Sequence, residues 1–160
     1  MFTLDEKVEA IIGSDYPTKV VPLLESARQT IDIMMYEWKW YTHEAAGGME
    51  KLNLVIQRKA REKIRIRVLL NIESMGHAIT KINGRTASFL QKAAVICKFG
   101  QVGIATHAKM VIIDQNIVVV GSHNYSKGSF SRNQEVSVGI KGSEIVRPFI
   151  DYFNLLWSRF

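Results

Sequence analysis

The sequence has a single cysteine, three prolines and no long apolar run, and each scarcity excludes a class of protein. Cys97, inside the apolar stretch AAVICKF, has no partner for an internal disulfide, and its thiol is expected in the core. No apolar run approaches the roughly 18 residues of a membrane-spanning helix, so no stable membrane insertion is expected. The opening residues MFTLDEKVEA carry Asp5, Glu6 and Glu9 where a secretory leader would carry positive charge. A cytoplasmic protein is expected, a periplasmic or secreted one requiring a leader already removed. One cysteine and scattered histidines make no metal-ligand cluster, and neither a metal nor another cofactor is expected.

What is present is the balance of an ordinary globular protein. Of 160 residues 47% are hydrophobic and 22% charged, which predicts one domain, residues 1–160, with a real core. Acidic residues become scarce after residue 50: residues 1–50 hold 4 Lys/Arg against 9 Asp/Glu, residues 51–160 hold 17 against 6. A basic C-terminal two-thirds suits a polyanion such as nucleic acid or anionic lipid headgroups. It equally suits a solvated face without a partner.

Hydrophobic periodicity predicts alternating strands and helices. A helix over Lys19–Thr30, with Pro22 tolerable only in its first turn, precedes the strand Ile31–Tyr36. A helix over Met49–Glu62 leads to the strand IRIRVLL (64–70), and a short helix over Thr86–Ala94 to the strand VICKF. Two strands fall within 107–124 and another at 134–140. The last helix carries the stripe Ile145, Val146, Phe149, Ile150, Phe153, Leu156, Trp157 and Phe160, with Pro148 placing its regular start near Val146 or Arg147. The order implies an α/β fold: a mixed β-sheet flanked by helices on both faces.

The segment HAKMVIIDQNIVVVGSHN, residues 107–124, carries the chemistry. MVII and IVVV flank a turn, and a two-residue turn at Gln115-Asn116 would set His107 opposite Asn124 and Lys109 opposite Ser122. Directly opposed residues share a face, as do residues i and i+2, so all four side chains would converge at the open end of the hairpin. A nucleophile or base, a cation and two neutral hydrogen-bonding groups are what holding and attacking a phosphate without a metal requires. Asp114 would lie roughly 20 Å from His107 along the strand and is read as a turn residue. His123 would point to the opposite face unless the strand bulges.

These residues resemble the signature of the phospholipase D superfamily, H-x-K-x4-D-x6-G-S-x-N, with His107, Lys109, Asp114, Gly121, Ser122 and Asn124 all at its spacing. From average composition a chance match of six specified positions in one chain is on the order of one in 10⁵. The RNQE segment with Asn133 and Glu135, the IDIMMY and IRIRVLL strands and the closing aromatic helix extend the resemblance from about residue 17 onwards. It implies a phospholipase D-like fold and phosphodiester cleavage through a covalent phosphohistidine. His107 would be the nucleophile, and Lys109 and Asn124 would hold phosphoryl oxygens. Ser122 would bond within the cluster and Glu135 would orient the imidazole of His107. Asp114 and Gly121 belong to the signature but are read as structural. A plain surface-strand residue is the alternative for Glu135.

Such a mechanism needs two histidines, one attacking and one protonating the leaving oxygen. The chain holds one copy of the signature, and His43, His77 and His123 sit in no second one. It is similar in this to the small bacterial endonuclease branch, and the resemblance implies a homodimer with one shared active site. Two features tilt the substrate towards nucleic acid. QRKAREKIRIR (57–67), with Arg65 and Arg67, is a candidate track for a phosphate backbone, although a solvated face explains it equally. Tyr36, Trp38 and Trp40 alternate and would share a face in an extended chain, where Trp38 and Trp40 could stack on bases; core or interface burial is the alternative. His43 in the same loop is near enough in sequence to approach the site, but it is read as an ordinary loop histidine. Three readings follow: a metal-independent nuclease, a phospholipase or phosphatidyl-transfer enzyme with an apolar access surface, and a non-catalytic nucleic-acid-binding dimer.

Overall fold

The described chain, residues 7–42 and 47–160 of a computed structural model, opens on a strand that periodicity does not reveal, β1 (Val8–Ile12). Asp5, Glu6 and His43 lie outside the described residues. One 3-10 turn leads into α1 (Tyr16–Ser26), which begins earlier than the expected Lys19 because Pro17 fits its first turn. Pro22 lies inside this helix, on its exposed side, so the Thr18 carbonyl it leaves unbonded sits on the solvent side.

Two strand–helix–strand units follow: β2 (Thr30–Met35), α2 (Gly48–Arg61), β3 (Arg65–Leu70), α3 (Ala78–Lys92) and β4 (Ile96–Phe99). The strands of these units pair in parallel. α3, at 15 residues, starts eight residues before the helix expected at Thr86–Ala94. The polar residues that conceal its first half, Asn83 and Thr86, are buried and bonded to distant backbone, and the His77 ring caps its start by accepting from Ile79 N–H. Cys97 on β4 is half-buried, and burial pushes its thiol up to about 12.

The hairpin β5 (Lys109–Ile113) and β6 (Ile117–Gly121) leads through the short α4 (Lys127–Ser131) to β7 (Val136–Lys141) and α5 (Ser143–Arg159). α5 starts before the expected Val146 and carries Pro148 within it, without the bond to the Glu144 carbonyl. The sheet order is β1-β7-β6-β5-β2-β3-β4, antiparallel from β1 to β2 and parallel from β2 to β4. The expected mixed sheet with helices on both faces is what forms. α1, α2 and α3 pack Leu24, Leu52, Ile56 and Leu90 onto Ile33, Val68 and Val111. On the other face α5 sets Val146, Ile150 and Phe153 against Met34, Leu69 and Ile112.

The hairpin register differs from expectation by one residue. Ile113 pairs with Ile117 and Lys109 with Gly121, around a three-residue loop of Asp114, Gln115 and Asn116. Asp114 and Gln115 both take left-handed backbone, at φ 50° and 54°. The Asp114 carboxylate accepts the N–H groups of Arg28, Gln29 and Thr30 at 2.8, 2.8 and 2.9 Å, tying the loop to the entrance of β2. Local turn propensity carries no information about those long-range partners.

Candidate active site

β2 and β3 end at Met35 and Leu70, at the same edge of the sheet where β5 begins and β6 ends. Two buried asparagines bind the segments that emerge there. Asn83 accepts from Trp38 N–H at 2.9 Å and donates to the carbonyls of Tyr36 and Asn71 at 2.8 and 2.9 Å. Asn71 accepts from Thr106 N–H at 2.7 Å and donates to Glu73 at 2.8 Å, which sets the residue preceding His107. Both asparagines are fully buried, so each unmade bond would carry its full desolvation cost.

His107 is exposed and Lys109 buried. Lys109 Nζ lies 3.1 Å from His107 Nε2 and 3.2 Å from Nδ1, and donates to the His107 carbonyl at 2.8 Å. The Tyr36 ring stands edge-on to the imidazole at 4.8 Å and beneath the ammonium at 5.1 Å. Burial pulls the Lys109 pKa below that of an ordinary lysine, against the opposing charge of Glu135.

β6 runs close to β7 at Gly121, where a Cβ would strike Ser137 and the Val136 carbonyl. One residue on, the Ser122 hydroxyl takes the Val136 N–H at 3.1 Å, in the place where a regular strand would offer its carbonyl. The chain leaves the sheet there. His123 turns into the interior, within 2.7 Å of Ser137 Oγ and 2.9 Å of the Gly13 carbonyl, and burial lowers its pKa. A carbonyl only accepts, so the His123 proton is on Nε2. Asn124 accepts from Glu37 N–H at 3.2 Å, which leaves its amide NH2 for another acceptor.

Glu135 accepts from Ser122, from Ser129 at 2.9 Å and from Asn133 at 3.1 Å. Burial raises its pKa, but these three bonds outweigh burial and hold the carboxyl below the ordinary range. No hydrogen bond joins Glu135 to His107 within the chain. The expected contact with the imidazole is replaced by a carboxylate that braces Ser122 and the α4 loop.

The structure does not bring the tentative substrate residues to this site. Trp38 is fully buried and donates from Nε1 to Asn53 at 3.0 Å, because the chain bends after Met35 and breaks the expected alternation. Trp40 stacks on Phe89 at 5.3 Å. Arg67 forms a bidentate pair with Asp32, 2.7 Å on each arm, beneath Phe153 and Trp157. Arg65, although exposed, opens β3 and so stands with the end of α2 at the far edge of the sheet. The basic run 57–67 therefore lies opposite the site: parallel strands end where the site is and begin where the run is. Among the described residues Arg159 lines the groove beside His107, while Lys39 is exposed on the segment after β2 and Lys127 and Arg132 are exposed between Tyr125 and Asn133.

Sequence reasoning noted Tyr36 only as one of three alternating aromatics and missed Asn71, Asn83 and Ser129. Only Asn83 left a trace, as a polar residue in register with Thr86 and Leu90 on the buried stripe of α3. The last helix, read as core packing, is half exposed. A groove of about 370 Å3 beside His107 is walled by Tyr152, Leu156 and Phe160. Among the described residues no helix is long and apolar enough to cross a membrane.

Comparison with known proteins adds three findings. Residues 20–157 match the family described as cardiolipin synthase, PLD-like domain. Human mitochondrial cardiolipin hydrolase is 23% identical over 148 residues, 92% of this chain, and this chain spans about half, 53%, of that protein. Two solved structures match end to end. NucT from Helicobacter pylori superposes with a TM-score of 0.74 at 19% identity, covering 95% of this chain and 96% of that one. The phospholipase D family member Nuc from Salmonella typhimurium gives 0.72 at 16% identity, covering 94% and 95%.

Proposed function

The chain belongs to the phospholipase D superfamily, and from that premise we propose that it is a metal-independent phosphodiesterase acting on nucleic acid. The observation that carries the reading is the pairing of an exposed His107 with a buried Lys109 at 3.1 Å, at the edge of the sheet where Asn124 and Ser122 emerge. The His107 imidazole attacks phosphorus, the phosphorus–oxygen bond to the leaving group breaks, and a second imidazole protonates the departing oxygen. Water then attacks the phosphohistidine, giving its proton back to the second imidazole and releasing a phosphomonoester with free His107. Lys109 and the Asn124 amide bear on the phosphoryl oxygens, whose charge grows in the transition state. Glu135 steadies the loop through Ser122.

The second imidazole is not supplied by this chain's signature, and we read the working form as a homodimer with a shared site. The coupled pair can hold one neutral and one protonated ring. Nucleic acid is favoured by Arg159 in the groove beside His107, by the exposed cations Lys39, Lys127 and Arg132 on the segments that follow β2 and β6, and by the end-to-end likeness to Nuc and NucT. A lipid substrate is the second reading, favoured by the apolar groove beside His107 and by the cardiolipin hydrolase and synthase relatives. Cleavage of plasmid and single-stranded DNA in excess EDTA tests the proposal, beside hydrolysis of cardiolipin and phosphatidylcholine vesicles. The native protein is expected to cut DNA and His107→Ala to bind it without cutting. Lipid hydrolysis without DNA cleavage overturns the nuclease reading, and retained turnover in His107→Ala moves the chemistry elsewhere.

A further inference from the structure

The basic run 57–67 has no part in the site, and it does not stand alone. β2, β3 and β4 are parallel, so the turns that feed them meet at one edge of the sheet, opposite the edge that carries His107. Arg28 precedes β2, Arg61 closes α2, Lys63 precedes and Arg65 opens β3, and Lys92 closes α3 ahead of β4. All five are exposed, and none forms an ion pair among the described residues. The carboxylates nearby are engaged: Glu25 with Arg58 at 2.8 Å, Glu62 with Lys59 at 2.9 Å, and Asp114 with three backbone N–H groups. A helix C-terminus attracts cations, which accounts for Arg61 and Lys92 but not for Arg28, Lys63 and Arg65. A merely solvated surface intersperses both signs. Nor do these charges serve the site. β2 and β3 have six residues each, about 20 Å at 3.3 Å per residue, and salt screens charge over roughly 8 Å at physiological ionic strength.

We propose that this edge docks the chain on an anionic bilayer, with the His107 edge facing away from it. The strand starts are nearly level, Thr30 pairing with Arg65 and Arg67 with Ile96, so the cations lie along one end of the sheet. Ile96, 52% exposed where the edge strand β4 begins, adds an aliphatic side chain of the kind that settles among headgroups. Each Lys or Arg beside an anionic leaflet strengthens binding, and several together give reversible attachment without a membrane-spanning helix. Nucleic acid fits this edge less well. Phe89, the ring that lines the hollow between the ends of α2 and α3, is already stacked on Trp40 and covered by Lys92, so it offers bases no platform. A strand held here also lies the length of the sheet away from His107. The docking surface stands whichever phosphodiester the site cleaves, but a chain docked this way reaches substrate in solution rather than in the bilayer beneath it.

The test is co-sedimentation with vesicles of phosphatidylcholine, alone or mixed with phosphatidylserine. The native protein is expected to bind the mixed vesicles, to ignore the neutral ones, and to lose binding as salt rises. Arg61→Gln/Lys63→Gln/Arg65→Gln is expected to bind about 100-fold more weakly, each charge contributing about fivefold. Lys39→Gln/Arg159→Gln, which removes cations at the other edge, is expected to bind as the native protein does. Unchanged binding in the triple variant, or an equal loss in the Lys39/Arg159 variant, overturns the docking surface. Weaker DNA binding with a shallower salt slope in the triple variant gives the edge to nucleic acid and also overturns it. Cleavage of a soluble oligonucleotide is expected to be the same for free and vesicle-bound protein, whereas vesicles that block cleavage place the bilayer over His107 and overturn the orientation. A protein that binds the vesicles but cuts no DNA overturns the nuclease reading alone, since docking is read without activity. Should the triple variant fail to fold, Arg28→Gln/Lys92→Gln decides: a loss of about 25-fold is expected, and unchanged binding overturns the proposal.

Discussion

The Ser122 hydroxyl donates to Glu135 across the gap between β6 and β7, so the carboxylate holds the loop leading to Asn124 rather than the imidazole of its own chain. Ser129 and Asn133 complete the set of donors. The site is thus two units, a His107–Lys109–Tyr36 cluster and a Ser122–Glu135–Asn124 loop, joined by the short strands between them.

Replacing Glu135 with Gln keeps its shape but turns an NH2 towards groups that donate. Cleavage is expected to fall about 10²-fold through loss of loop geometry, more than for Ser122→Ala, which removes the bond to Glu135 and the one from Val136 N–H but leaves the carboxylate its bonds from Ser129 and Asn133. The folded carboxyl binds its proton less readily than the unfolded one, so its stabilisation is present above the ordinary Glu pKa and is lost as pH falls through the lowered value. Melting temperature recorded from neutral to acid pH should therefore fall less steeply in Glu135→Gln than in the native protein.

Lys109 predicts the alkaline limb of activity. Burial makes the ammonium give up its proton at a lower pH than an ordinary lysine, and the grip on phosphate goes with it as pH rises. kcat/KM should decline on the alkaline side before the usual lysine range, and Lys109→Arg, which stays charged, should lack that decline at a reduced rate. An identical limb in both proteins would assign it to another group.

Asn83 joins the two segments that emerge from β2 and β3 through one side chain. Asn83→Leu leaves the Trp38 N–H and the carbonyls of Tyr36 and Asn71 unpaired in the interior, at a cost of roughly 3–5 kcal/mol. Denaturant midpoints should show this loss. Well below the melting temperature kcat should also fall, because Tyr36 sets the ring that faces His107; unchanged kcat would restrict Asn83 to stability.

Arg67 is expected to matter to folding and not to substrate. Asp32 is 2% exposed, so Arg67→Met strands a buried carboxylate and costs about 3–5 kcal/mol. The double variant Asp32→Leu/Arg67→Met should recover most of that stability, measured by denaturant unfolding. Arg65→Ala should change neither stability nor the salt dependence of DNA binding. A shallower salt slope in that variant would bring the far edge of the sheet into contact with nucleic acid.

Much of the fold was legible. The IDIMMY run is buried on both faces and IRIRVLL becomes so from Val68, after alternating, and both read as strands for that reason. Two boundaries moved where a polar residue is satisfied by a distant partner, Asn83 and Thr86 in α3 and Asp114 in the hairpin loop, and two helix starts, those of α1 and α5, moved around prolines. β1 stayed hidden because an edge strand with exposed alternate residues leaves only a weak pattern.

The sequence by itself picked out the candidate site: a histidine, a lysine, a serine and an asparagine spaced so that a hairpin end can bring them together. It also determined the layered α/β architecture, because periodicity records the face each residue takes. Tertiary structure alone decided which edge of the sheet each segment reaches. It sent the basic run and Arg65 away from His107, buried Trp38, committed Arg67 to Asp32 and gave Glu135 to Ser122. Face is encoded locally, by alternation along a strand. The identity of a neighbour depends on strand order and register, which are settled by the burial of the whole core and by long-range hydrogen bonds that no short window of sequence contains.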